Sequence, residues 1–136
     1  MTATPALRDL GDEDFVQLTT FRRSGEPVST PVWVVRDGDA LVVTTPSHSG
    51  KVKRLRANAD VELRPCSRRG TVKPGTTWVP ATARLDPDPG AHDGAGHLFA
   101  AKYGWEYRVA MLVEQTIRRF RPIAGPDRRI VRITHS

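Results

Sequence analysis

The stretch SHSGKVKRLRANADVELRPCSRRG, Ser47 to Gly70, changes periodicity midway and carries seven Lys or Arg residues. In its first half Val52, Leu55 and Ala59 fall near one face at helical spacing, which predicts a short helix from about Ser49 to Ala57. Ser47 or Ser49 stands where an N-cap belongs. In its second half Val61 and Leu63 alternate with Glu62 and Arg64, which predicts a strand over DVELRPC. A helix start presents unpaired N–H groups and the positive end of the dipole, an arrangement that binds anions. Gly50 permits close approach, and Lys51 in the first turn opposes the dipole, a conflict that a bound anion removes. Lys51 and Arg54 can flank one ligand, with Lys53 and Arg56 on the other flank. Three readings of this segment stay open: a solvated basic face, a phosphate site and a nucleic-acid surface. It is not a Walker A loop, because the glycine spacing and the Lys-Ser/Thr ending are absent. Arg68 and Arg69 either hold a distal anionic group of a long ligand or simply solvate a loop, and Lys73 carries less weight in the same field.

Upstream, FVQLTTFRR, Phe15 to Arg23, reads as a strand, and Ser24 to Glu26 as a hairpin turn with Gly25 at its permissive position. PVSTPVWVV, Pro27 to Val35, reads as a second strand that Pro31 confines to an edge or a bulge. Asp37-Gly38 makes the next turn and ALVVTT the third strand, so a three-strand meander is expected. Downstream, TTWVPATARL supplies another strand and Asp86 to Gly96 reads as a loop. Val109, Leu112, Val113, Thr116, Ile117 and Phe120 recur at helical spacing, predicting an amphipathic helix that ends before Pro122. RRIVRITHS reads as a final strand. About six strands with two or three helices favour a mainly β fold, a small β-barrel with short helices, over a doubly wound sheet.

The 136 residues fit one domain, 1–136, with an ordered core expected at about 13–134. An apolar fraction of 38% is modest for so small a domain, and pairing with a second copy adds buried surface. The formal charge of +6 favours anionic partners without choosing among them. Cys66 is the only cysteine, which excludes an intrachain disulfide. MTATPALRDLGDEDF has no basic segment followed by an apolar run, and no stretch reaches the roughly 20 apolar residues of a spanning helix. A cytoplasmic location with no integral membrane association is therefore the expectation.

In TPVWV, Thr30 can hydrogen-bond, and the backbone near Pro31 and Val32 is a candidate ligand edge. Trp33 reads first as a packing residue. Tyr103, Trp105 and Tyr107 crowd together, as a pocket wall or, preferably, an interface. His48, beside the helix start, reads either as a donor to a phosphate or as an exposed residue, and His92, His97 and His135 show no ligand spacing with one another or with Cys66, so no metal is expected. Asp86 and Asp88 read as solvated loop charges. No side chain stands out as a general acid, and the catalytic residues are left unassigned. Any redox chemistry then falls to a cofactor that the protein positions.

FVQLTTFRRSGEPVSTPVWVV, LVVTTPSHSGKVKRLRANADVELRPCSRRG and the tail helix together resemble the split β-barrel flavin and deazaflavin family, which includes the pyridoxamine 5'-phosphate oxidases. The resemblance covers roughly Phe15 to Ile133 and is closer to the actinobacterial reductases that use coenzyme F420. It implies a homodimer with cofactor sites at the interface. It also implies a phosphate held by Ser49, Lys51 and Lys53 or Arg54, beside Gly50, with Thr44 and Thr45 ending the strand that leads there. Thr30, Pro31, Val32 and Trp33 would border the ring, and Arg68 and Arg69 would meet the acidic tail of the deazaflavin. Flavin-using oxidases of this kind carry an Arg-Lys pair where this chain has Gly50-Lys51. Losing that arginine weakens the case for FMN, the alternative cofactor. The implied activity is hydride transfer from reduced deazaflavin to an unsaturated small-molecule acceptor, biliverdin-like, quinone-like or xenobiotic. An FMN-dependent oxidase or reductase and a non-catalytic flavin-binding protein are the competing readings. A nucleic-acid partner is disfavoured because few aromatics interleave with the basic residues.

Overall fold

The computed structural model describes residues 7–46, 49–87, 91–120 and 128–135. A 3-10 helix at Leu7–Asp12 leads into β1 (Phe15–Phe21), which turns at Gly25 (φ +89°) into β2 (Pro27–Val32). Then follow β3 (Val34–Asp37), β4 (Ala40–Pro46), α1 (Gly50–Ala57), β5 (Asp60–Cys66) and β6 (Val79–Leu85). α2 (Ala91–Tyr103), α3 (Trp105–Phe120) and β7 (Arg128–His135) complete the order. Gly38, at φ +62°, makes the predicted Asp37-Gly38 turn.

All seven strands form one antiparallel sheet in the order β2-β1-β5-β6-β7-β4-β3. This corrects two expectations. The strand expected over Pro27–Val35 is broken at Trp33, and its halves β2 and β3 lie at opposite edges of the sheet, so no three-strand meander forms. Nor does the expected mainly β barrel form: no ladder joins β2 to β3 and the sheet stays open. Pro27 and Pro31 bring no N–H to the β2 edge, and β3 has only four residues, two of them the exposed Arg36 and Asp37. With helices of 13 and 16 residues on the sheet, the fold is mixed α/β. Since Val32 and Val34 flank one residue, the sheet curls enough for its two open edges to meet at Trp33.

The curl separates two apolar clusters. Val16, Leu18, Leu41, Leu63 and Ile133 pack with Leu10 of the 3-10 helix and Leu55 of α1. On the opposite face Val35, Val42 and Ile130 pack with Ala95, Phe99 and Tyr107. β4 is buried from Leu41 through Thr45, because its two faces serve both clusters, which explains its unbroken apolar run. Residues Asp86–Gly96 were expected to be a loop, yet α2 begins at Ala91. Burial of Ala95 and Phe99 offsets the helix cost of Gly94 and Gly96. Asp86 is not merely solvated: its carboxylate accepts from Arg132 Nε at 3.2 Å, while Asp88 lies outside the described residues.

Two side chains from the end of α2 hold the break at Trp33. Lys102 Nζ donates to the carbonyls of Gly11, Glu13 and Val34, each at 2.6 Å, three acceptors for its three protons. Tyr103 Oη accepts the Val34 N–H at 2.9 Å and lies 2.8 Å from the Val34 carbonyl and 2.9 Å from that of Asp14. Burial pushes the Tyr103 phenol up to about 12. Among the described residues no helix is long and apolar enough to cross a membrane.

Candidate functional site

The short helix forms where the sequence predicts it. β4 ends at Pro46, and α1 starts at Gly50 with Ser49 as its N-cap in extended geometry. The Ser49 hydroxyl makes no capping bond. It pairs instead with Thr45 Oγ1 at 3.0 Å and ties the helix start to the strand end. Buried Val52 and Leu55 anchor α1, so Lys51 on the adjoining face is directed at the end of β4. Ser47 and His48 lie outside the described residues.

Beside this element a cavity of about 530 Å³ opens between the Trp33 break and α3, a size suited to a small ligand. Its polar end is formed by Thr44, Thr45, Lys51 and Arg128. Its apolar wall comes from Phe15, Pro31, Val32, Trp33 and Trp105. Trp33 packs as the sequence suggests, its ring 5.4 Å from Tyr103 and 5.6 Å from Tyr107, and it also lines the cavity. Tyr103 and Tyr107 stack with Phe99 on the helix side, leaving Trp105, 73% exposed, as the cavity's outer plane.

Lys51 is the informative cation. Nζ donates to Thr30 Oγ1 at 3.1 Å and has no carboxylate partner among the described residues. Burial first, then the charges of Arg54 and Arg128, hold its pKa below the ordinary lysine value. An ammonium both desolvated and pressed by like charges is stabilised by an anion. Arg128, 8% exposed, is aimed by Thr44: Nε donates to Thr44 Oγ1 at 2.8 Å and NH2 to its carbonyl at 3.2 Å. Its NH1 meets the Glu114 carboxylate of α3. At the other end Arg68 NH2 pairs with Glu106 Oε2 at 3.1 Å and its guanidinium lies over Phe15.

Of the sequence candidates, Pro31, Val32, Trp33, Thr44, Thr45, Lys51 and Arg68 line the cavity. Thr30 and Ser49 touch it through Lys51 and Thr45. Lys53 and Arg69 are exposed and do not line it. Arg54 turns to β1, donating Nε to Thr20 Oγ1 at 2.6 Å, and its NH1 stands 2.6 Å from where a Cβ on Gly50 would lie. The Arg54 guanidinium thus occupies the space that a side chain at position 50 needs. Sequence reasoning missed Arg128, Glu106 and Glu114. The last two were visible as carboxylates eight apart on one helix with Ala110 between them. Arg128 carried no local signal, because its place depends on the Pro46↔Arg128 register of β4 and β7.

Solved structures share the fold. The heme storage protein HutZ of Vibrio cholerae superposes with a TM-score of 0.61 at 14% identity, over 92% of this chain and 83% of that one. A FAD-binding protein from Mesorhizobium loti gives 0.52 at 15% identity, over 96% and 87%. A structure named F420 reductase gives 0.52 at 18% identity, over 98% and 96%. At these identities the likeness is one of fold, shared by proteins whose names point to different ligands. None of the curated proteins matches the chain. The family model described as pyridoxamine 5'-phosphate oxidase matches residues 3–135, and the chain belongs to that family.

Proposed function

We propose that the cavity binds a phosphate-bearing flavin-type cofactor, coenzyme F420 in preference to FMN, and that the protein is a reductase of an unsaturated small-molecule acceptor. The observation that carries this reading is Lys51: a half-buried ammonium without a carboxylate partner among the described residues, at a helix start, facing a cavity with an aromatic wall. Lys51, Thr45 and the N–H groups of α1 would hold the phosphate, and Trp33, Val32 and Pro31 would border the ring. The bound deazaflavin would supply hydride. The chain would orient the acceptor against the ring and exclude water from it. None of the described cavity residues is an evident proton donor to carbon, so the catalytic residues stay unassigned.

The same reading takes the protein as a homodimer formed through α3. Leu112, Val113 and Ile117 are 63, 51 and 55% exposed, a contiguous apolar face on a helix whose other side meets the cavity. Val109 belongs to both the exposed face and the cavity lining, so a second copy seated on α3 would also close the cavity's rim.

Paired titrations of the protein with F420 and FMN, followed by tryptophan fluorescence, test the cofactor assignment. Tighter binding of F420, followed by oxidation of its reduced form on adding acceptors, supports the reductase. Tighter binding of FMN moves the protein to flavin chemistry, and binding without turnover supports a carrier.

A further inference from the structure

The cavity is lined by three cations, Lys51, Arg68 and Arg128, and by two carboxylates, Glu106 and Glu114, both from α3. The two carboxylates are eight residues apart on one helix face, and Ala110, between them, leaves the centre of the cavity open. Each engages a cavity arginine: Glu106 takes Arg68 at the outer end, and Glu114 takes Arg128 at the inner end. These bonds differ in consequence. The outer pair is exposed and exchanges readily with water. The inner pair joins a buried guanidinium that also donates Nε and NH2 to Thr44. Three of its five N–H donors are thus engaged, and the Glu114 carboxylate on NH1 offsets the charge that would draw an incoming anion.

From this arrangement, and resting on the cofactor reading above, we infer that Glu114 is a specificity-determining residue: a resident counter-ion of Arg128 that competes with an anionic ligand for its second cation. A phosphate at the cavity meets Lys51 directly, but draws on the full charge of Arg128 only in exchange for the Glu114 carboxylate. The exchange lowers affinity for small free anions, which bring no ring to the aromatic wall. A ligand carrying both phosphate and ring recovers the loss by stacking on the wall. The same exchange detaches α3 from β7, since Glu114–Arg128 is the ion pair between them among the described residues.

The test uses the full chain and inorganic pyrophosphate, titrated by calorimetry against the wild type, Glu114→Gln and Glu114→Asp. Glutamine keeps the shape and an acceptor for Arg128 but not the charge. It is expected to tighten pyrophosphate binding by about fivefold or more, because the competing charge is gone and a neutral acceptor is the weaker partner. Aspartate keeps the charge and is expected to stay near the wild type. Hydrogen exchange in α3 of the wild type is expected to quicken when pyrophosphate is bound. Equal or weaker binding by Glu114→Gln, or an equal gain in Glu114→Asp, overturns the inference and leaves the cofactor reading standing. Failure of the wild type and both variants to bind pyrophosphate, FMN and F420 overturns both.

Discussion

Replacing Lys51 with methionine separates binding from folding. The change keeps the length of the side chain and removes the ammonium. A charge-assisted hydrogen bond to phosphate is worth about 1.5–3 kcal/mol, so the cofactor's dissociation constant should rise roughly 10- to 150-fold. The fold should barely notice. Lys51 gives it one hydrogen bond, to Thr30, while its charge is disfavoured by burial and by Arg54 and Arg128. The melting temperature of the ligand-free variant should therefore equal or slightly exceed that of the wild type. The pH dependence has a definite sign. Because the lysine pKa is depressed, the ammonium burdens the fold at neutral pH and the burden fades as pH rises through the depressed value. A bound phosphate favours the ammonium, so ligand affinity should fall over that same range, below the ordinary 10.5. The fall should be absent in Lys51→Met. Calorimetric titration with F420 and FMN from pH 7 upward reads all of this. Unchanged affinity, or a large loss of stability, would refute the assignment of Lys51 as an anion ligand.

Lys102→Met strips three backbone carbonyls of their donor and should cost about 3 kcal/mol, seen as a fall in melting temperature of about 10 °C. Tyr103→Phe should weaken the hold on Val34. It should also flatten the alkaline limb of the stability profile, because a phenol raised to about 12 contributes stability that is complete below pH 10 and lost between 10 and 12. Denaturant melts of wild type and variant across that range check the slope. Leu112→Asp with Ile117→Asp should halve the solution mass by light scattering if α3 forms the dimer interface. An unchanged mass would place the interface elsewhere or show that there is none.

How far the sequence carried depends on whether a feature was local. The helix at Gly50–Ala57 with Ser49 before it, the turns at Gly25 and Gly38 and the helix ending at Phe120 all came from spacing within a few residues. Lys51 could be singled out because its conflict with the helix dipole is a one-turn property. The break at Trp33 was hidden, since Pro27–Val35 reads as continuous strand residues and only Lys102 and Tyr103, some 70 residues on, fix where it divides. The open sheet followed from the same break. Arg128 was illegible for a related reason: nothing near it in the chain says that β7 pairs with β4 and brings its guanidinium to Thr44. The apolar spacing of α3 gave the helix correctly, but spacing alone does not say whether such a face meets a core or lies exposed.

A crystal structure of the protein soaked with F420 tests the central claim most directly. The account predicts the phosphate at the start of α1, within hydrogen-bonding distance of Lys51 Nζ, and the ring along Trp33. A phosphate bound away from Lys51, with the cavity at Trp33 left open, would contradict it.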